Sequence, residues 1–458
     1  MTKESDIKIG LEIHSYLITE EKLFCNCKAI RHSAKEGIKP NSFICPICCG
    51  MPGSKPMLPN KEAIKKAIQI ALMLNCKIQD QKIIWQRKHY DWPDLPKGYQ
   101  ITQSGSYSIP LAENGEFENI RIRELHLEED PAAWNPETGN IDYNRSGLAL
   151  VEIVTEPDFS SSEQVVLWLK NFLLTLSYIK AIDKNAGIKA DVNISMNGGE
   201  RVEIKNISSI ENIKKAIEYE IIRQKKEKAI RETRRFDEIT GKTISMRTKE
   251  QAEDYRFIPD PDLPIIKISK EEVENIKKTL PETPKEKLNK LIQKYKIDKK
   301  NSEILTKNLE IVEFFEKVIE EVDGKFALPW ITIELLRILN YNKKTLDEVN
   351  INPKHFIELL QLVKNKEITE LKAKQILNEF IPNSYSVKSK LNKFQKINNE
   401  ELEEICREVI KENKKAVDDY KSGEEKALSF LIGKVMEKSQ RRADFKLTKL
   451  ILEKLIRS

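Results

Sequence analysis

The chain has little of what would place it in a membrane or outside the cell. No segment approaches the ~18–20 unbroken apolar residues needed to cross a bilayer. Met1 to Asp6 lead into a short strand-like run, not the apolar core of a signal peptide. Both absences predict a soluble cytoplasmic protein. Glycine is scarce, 16 in 458 residues, and the Gly-x-Gly-x-x-Gly fingerprint of a dinucleotide fold does not occur. Gly241-Lys242-Thr243 resembles the end of a phosphate-binding loop, but position 236 is Phe where that loop needs its first Gly, and no apolar strand immediately precedes it. Thr240–Thr243 is therefore predicted to be a hairpin turn. A Gly-Ser-rich stretch of the kind that carries an amidase serine is also missing. What is present excludes a disordered chain: 40% of residues are hydrophobic, enough to bury a core. The length exceeds what one core fills, about 250 residues, so two to four domains are expected.

Seven cysteines are an odd number for a disulfide framework in so long a chain. Five of them, Cys25, Cys27, Cys45, Cys48 and Cys49, fall within 25 residues, and such clustering favours metal over disulfide. Cys25-Asn26-Cys27 and Cys45-Pro46-Ile47-Cys48 supply four thiolates, with Pro46 and Gly50 as turn formers. That is the pattern of a zinc knuckle at about residues 25–49. Four thiolates close the coordination shell, so the zinc would be structural. The alternative is a set of buried free thiols; Cys76 and Cys406, each alone on an apolar helical pattern, are predicted core residues.

Residues 1–285 carry short β-branched runs (Ile7–Ile13, Ile83–Trp85, Ile120–Ile122, Leu150–Val154, Val192–Ser195, Arg201–Lys205) and helical stretches such as Lys61–Asn75 and Ser162–Leu176. They read as one α+β domain. From about Leu280 lysine-rich segments with apolar residues at three- and four-residue spacing take over, which predicts helices to the end. Pro281-Glu282-Thr283-Pro284 is the natural linker, with Pro284 in a first helical turn, where proline is tolerated. A second break near Ile381–Ser384, or a little after it, divides a helical connector (286–390) from a helical tail (391–458). Residues 426–458 hold nine Lys or Arg against three acids, an excess equal to the whole chain's +6. Lys434, Lys438, Arg441 and Arg442 are expected on one side of a helix opposite Leu431, Val435 and Met436. Such a face suits a phosphate backbone, or is simply solvated.

Three strand-like segments carry acids. Glu12 and His14 alternate with Leu11 and Ile13, so period two puts both on one face, where they can hold a divalent ion or form an ion pair. Glu128, Glu129 and Asp130 follow an apolar run, and only alternate members can face the same way. Glu152 lies in the middle of Leu150–Val154, where a buried carboxylate needs a cation, a metal or a donor. Three strands with carboxylates suggest an acidic cluster of the sort that holds Mg²⁺ against phosphates.

Taken together, several segments resemble the GatB family of the tRNA-dependent amidotransferases. The matching text is Ile9–His14; Cys45–Cys48 with Gly50, Pro52 and Gly53; Arg87–Tyr90 with Pro93–Gln100; Leu125–Asp130; Asp142–Gly147 with Leu150–Asp158; Glu203–Asn206; and Glu232–Asp237 through Thr243. Asn413–Lys438 is similar to the family's YqeY-like end. The resemblance implies a cradle-shaped catalytic domain, a helical connector and a tail that grips tRNA. It implies that ATP and Mg²⁺ serve to phosphorylate the side-chain carboxylate of Asp on tRNA(Asn) or Glu on tRNA(Gln), and that ammonia then gives the amide. It also implies a GatA-type glutaminase subunit as the ammonia source and a small GatC-type subunit, which fits the missing amidase signature.

Carried over by motif, Glu12, His14, Glu129 and Glu152 would hold Mg²⁺ and phosphate, with Glu128 ranked after Glu129. Lys88 and Lys97 would lie near the exit of the family's ammonia tunnel or the acyl phosphate, Asp191 and Asn193 would assist the metal, and Lys434, Lys438, Arg441 and Arg442 would meet tRNA. The chain departs from the family at Ala149, where the signature has Pro, and at Pro131-Ala132-Ala133-Trp134, where bacterial members have Gly-Lys-Ser. The related GatE type carries an inserted synthetase-like domain. Here only about 20 residues separate Asp260–Pro264 from the connector, far below the ~50 a domain needs, so the GatB type is expected. A competing reading is a non-catalytic tRNA-binding scaffold with a zinc knuckle, which needs no convergent carboxylates. A metal-dependent hydrolase acting alone is a third.

Overall fold

Strict alternation builds the first strand. In Ile7–Tyr16 (β1), Ile9, Leu11 and Ile13 are buried on one face, while Glu12, His14 and Tyr16 take the other. The computed structural model describes residues 6–30, 37–79, 82–182, 188–247 and 255–457. The further strands are β2 (Lys77–Ile78), β3 (Gln86–His89), β4 (Tyr99–Thr102), β5 (Ala112–Phe117), β6 (Ile120–Glu129), β7 (Ala133–Trp134), β8 (Ile141–Asp142), β9 (Ala149–Thr155), β10 (Lys189–Met196), β11 (Val202–Ser208), β12 (Glu232–Asp237), β13 (Lys242–Arg247) and β14 (Arg256–Pro259). Twelve of them form one sheet in the order β13-β12-β11-β10-β1-β9-β6-β4-β3-β14, with β5 on β6 and β2 on β5. Among the described strands of this sheet the β11–β12 pairing is parallel and the others antiparallel. The predicted strand at Ile83–Trp85 is instead a pair of isolated bridges, Ile83 to Ile266 and Ile84 to Ile109, with β3 starting one residue later.

Helices α1 (Lys61–Met73), α2 (Ser162–Tyr178) and α3 (Ile210–Lys226) cover the apolar face and share one core with it. Their starts are written in the sequence: Asn60, Ser161 and Ser209 each accept a hydrogen bond from the first turn. β12 and β13 are joined by a tight turn ending at Gly241, whose φ of +66° glycine adopts without strain. The Gly-Lys-Thr segment is thus a hairpin, as expected.

Residues up to Thr283 form one compact unit, and those from Pro284 a second. The second unit is helical, opening with Pro284–Gln293, and holds two apolar clusters. Leu291 to Phe394 supply one, centred on Phe315, Phe356 and Phe380; Ile397 to Ile456 supply the other. The architecture is α+β followed by α. Among the described residues no helix is long and apolar enough to cross a membrane.

One basic-face expectation fails. Helix Glu425–Lys438 ends at Lys438, and Gln440 and Arg441 take positive φ (51° and 62°), so Arg441 and Arg442 leave the helix. Lys438 is bound by Glu408 (3.0 Å) and Glu412 (2.6 Å), Arg442 by Glu401 (3.3 Å) and Lys434 by Glu437 (3.0 Å). Three of the four cations are therefore engaged within the unit. Helix Phe445–Arg457 presents exposed Lys446, Lys454 and Arg457, which make no salt bridge among the described residues.

Candidate active site

The polar face of the sheet lines a cavity of about 940 Å³, and its floor is set by register. Across β6, β9, β1 and β10 one row reads His126, Glu152, His14, Lys189, each residue opposite the next. The neighbouring row reads Val154, Glu12, Asp191 across β9, β1 and β10. On β6, Glu128 lies two residues beyond His126 and so shares its face.

Two clusters result. Ligand atoms of His14, Glu128 and Glu152 lie within 4.8 Å of one another, and so do those of Glu12, Asp191 and Glu203. His14 Nε2 is 3.4 Å from Glu152 and 3.5 Å from Glu128. His126, fully buried, meets Glu152 Oε2 at 2.8 Å through Nε2. In the second cluster Lys205 Nζ reaches Asp191 (3.1 Å) and Glu203 (3.0 Å), and Asn193 Nδ2 donates to Glu12 Oε1 at 3.1 Å. The backbone N–H of Asn206 donates to Asp191 at 2.7 Å. Carboxylate oxygens are hard donors of the kind Mg²⁺ takes, and the first cluster adds the borderline imidazole of His14, so the two carboxylate sets fit a divalent ion.

The charges are mutually adjusted. Burial opposes ionisation of Glu152, but His126 and His14 outweigh it and hold its carboxyl well below the usual range. Burial likewise pulls the His14 imidazolium down, yet Glu152 and Glu128 carry it up to about 10. Glu128 is raised by burial and by Glu152, and Glu12 by burial, then Glu152 and Asp191. These are carboxylates crowded together, a state that a cation relieves.

Glu129 is not brought to this site. β6 turns it to the face opposite Glu128, where it receives Lys97 Nζ at 2.6 Å and the Ile101 N–H at 2.9 Å. The same ion pair holds Lys97, so of the two expected lysines only Lys88 lines the cavity, with its ammonium 4.5 Å from the centre of the Tyr255 ring. The sequence reading assigns no site role to His126, Glu203, Lys205 or the Tyr16 and Arg145 partners of Asp130. Asp130 receives Tyr16 OH at 2.6 Å and Arg145 Nε at 3.2 Å. His126 and Asp130 had a signal in the same alternation that marks Glu128, and Glu203 and Lys205 alternate in β11. Nothing in the spacing says which strands are neighbours.

The four thiols of Cys25, Cys27, Cys45 and Cys48 also lie within 4.8 Å of one another, a donor set that fits zinc. The Cys45 N–H points at Cys48 Sγ (3.2 Å), and the loop closes through Cys49 N to Cys45 O (3.1 Å) and Gly50 N to Ile47 O (3.1 Å). Cys49 stands outside the four, and Cys76 and Cys406 are buried in cores. The knuckle touches two loops of the site. Ser146 Oγ donates to Cys48 O at 2.7 Å, and a Cβ on Gly50 would sit 2.3 Å from Pro96 O.

Comparison with known proteins accounts for nearly the whole chain. Residues 7–274 match the GatB/GatE catalytic domain and residues 313–456 the GatB domain. A GatB-type component of the aspartyl/glutamyl-tRNA(Asn/Gln) amidotransferase from Methanopyrus kandleri is 43% identical over 98% of this chain and 99% of its own length. Relatives of the same name from Methanothermobacter thermautotrophicus and Methanococcus maripaludis strain C5 are 42% and 41% identical. They align with 96% and 100% of this chain, and 97% and 100% of their own lengths. With both domain types in order and relatives matched from end to end, the chain belongs to the GatB family.

Proposed function

We propose that the chain is the subunit of a tRNA-dependent amidotransferase that activates a side-chain carboxylate by phosphorylation. The name its relatives share, with their full-length match, supports an amidotransferase subunit acting on aminoacyl-tRNA. The observation that carries the chemical step is the pair of carboxylate clusters on adjacent rows of one cavity floor, with Lys88 beside them.

A carboxylate is a poor acyl donor until one oxygen becomes a leaving group. Its oxygen attacks the γ-phosphorus of ATP, and the bond to the β-bridging oxygen breaks to release ADP. Ammonia then attacks the acyl carbon, the carbon–oxygen bond to phosphate breaks, and an ammonium proton is lost to leave the amide. Mg²⁺ would neutralise charge on the transferring phosphoryl group, held by His14, Glu128 and Glu152 with Glu12, Asp191 and Glu203 alongside. Lys88 and Lys189, which line the cavity and make no salt bridge among the described residues, are cations available to oxygens entering it. His126 positions Glu152 from beneath. Ammonia is supplied by a GatA-type glutaminase subunit, with a GatC-type small subunit completing the assembly. The thiol cluster holds structural zinc.

The test follows phosphate from labelled ATP in the protein co-purified with its partners, with Asp-tRNA(Asn) and Glu-tRNA(Gln) as acceptors. ADP release should depend on aminoacyl-tRNA and be lost in both His14→Ala and Glu152→Ala. Salt-sensitive tRNA binding with ATP untouched would instead establish a non-catalytic scaffold.

A further inference from the structure

We propose that Trp92 is a stacking platform for a purine base, held at the rim of the cavity by Trp134. The inference rests on the functional reading above, since it adds a subsite to that cavity.

Trp92 lines the cavity yet is 55% exposed, whereas Glu152 on the floor is 9% exposed. What sets this exposed ring apart is its place: it lines a cavity, where an indole with one face packed and one face open can receive a flat apolar group. The ring is not adrift. Trp134 packs against it at 5.7 Å with the planes 88° apart, and the Leu95 N–H closes a turn onto Trp92 O at 3.2 Å. Trp134 comes from the small β7–β8 hairpin, outside the main sheet. That hairpin is tied to the Trp92 loop by Ala132 N donating to Asp94 O at 2.9 Å, and to the floor side by Arg145 Nε donating to Pro131 O at 3.0 Å. Two loops thus converge to fix one exposed indole.

The cavity is also polarised. Glu12, Glu128, Glu152 and Asp191 occupy the floor with His14 and Lys205, while the aromatic rings Tyr90, Trp92 and Tyr255 stand among the remaining walls beside Lys88, Asp91 and Asp94. A nucleotide has the same polarity, with phosphate at one end and a flat base at the other. Stacking on an aromatic ring is tolerant of base identity and changes affinity by about 5- to 150-fold per base. Two adenines reach a site of this function: that of ATP, and that of the 3′-terminal adenosine that carries the amino acid.

The experiment measures equilibrium binding to the full chain co-purified with its partners. One probe is a non-hydrolysable ATP analogue with Mg²⁺. The other is a tRNA(Asn) transcript, compared with the same transcript lacking its terminal adenosine. Trp92→Ala should weaken binding of at least one probe by about 5- to 150-fold, Trp92→Phe should restore most of it, and Trp134→Ala should fall between. A change confined to the ATP analogue assigns the platform to the nucleotide. A change in the transcript that disappears when the terminal adenosine is removed assigns it to the RNA end. Both affinities staying within twofold in Trp92→Ala would overturn the proposal. Because binding is the readout, wild-type complex that binds but transfers no phosphate would sink the functional reading and leave this result standing.

Discussion

Glu128 and Glu129 are adjacent, chemically identical and turned to opposite faces of one strand, and their substitution should separate catalysis from stability. Glu128 faces His14 and Glu152. Glu128→Gln removes a ligand from a crowded set of acids, so phosphoryl transfer should fall by about 100-fold or more while the melting temperature stays within a few degrees. Glu129→Gln leaves the Lys97 ammonium without its counter-charge in a mostly buried setting. That should cost about 3 kcal/mol of stability, with less than a tenfold change in turnover per folded molecule. Steady-state kinetics beside thermal melts would decide it, and the reverse pattern would mean that the assignment of faces is wrong. The sequence showed that only alternate acids of this run share a face. Which set faces the cavity depends on how β6 registers against β4 and β9, a long-range fact with no local signature. Glu12 and Glu152 were legible because each stands between apolar neighbours; His126 stands likewise between Leu125 and Leu127, but the three acids that follow it drew the reading.

At the scale of elements, α3 is locked to the β12–β13 hairpin by Glu220. Its buried carboxylate receives Arg223 Nε (3.0 Å), Gln224 Nε2 (2.9 Å) and Thr243 Oγ1 (2.9 Å). Burial opposes its charge, but these bonds outweigh it and keep the carboxyl below its ordinary value. A carboxyl with a depressed folded-state pKa adds stability that is present above the unfolded value near 4.5 and is lost as pH falls through the folded one. Denaturant unfolding from pH 6 to 3 should therefore show wild type losing more stability than Glu220→Gln. At pH 7 Glu220→Ala should cost about 1–3 kcal/mol, because it leaves the buried Gln224 and Thr243 donors without their acceptor, while Arg223 keeps Glu232. The cysteine knuckle makes a second prediction. Gly50 combines a φ of +65° with close approach to Pro96, so Gly50→Ala should lower stability by about 2 kcal/mol or more. It should also impair turnover while metal analysis still finds zinc, since the strain falls on the loop beyond the thiols. Clustered cysteines were readable from spacing alone. The end of helix Glu425–Lys438 was not, because Ser439-Gln440-Arg441 carries neither Gly nor Pro to announce it.

At the scale of the whole molecule, the excess positive charge lies in the last helices, and the pairing of Lys438 and Arg442 with helix Asn399–Glu412 moves the expected RNA contact to helix Phe445–Arg457. Replacing Lys446, Lys454 and Arg457 together by Ala should weaken tRNA binding. It should also flatten the dependence of log affinity on log salt by about 2 to 3, as read from binding at several salt concentrations. Lys438→Ala should change the slope by less than 1, and equal effects would restore the face expected from spacing. The division into a sheet unit and a helical unit was legible from the change in residue periodicity near Leu280. The order of strands was not, and it has a cost during synthesis. β1 is made first, but its two neighbours are β9 and β10, so the segment bearing Ile9, Leu11 and Ile13 emerges from the ribosome more than a hundred residues ahead of anything it can pair with. At typical elongation rates that is roughly ten to thirty seconds of exposure for an apolar strand. The two ligand clusters remain incomplete until the nascent chain has delivered, respectively, Glu152 and Glu203.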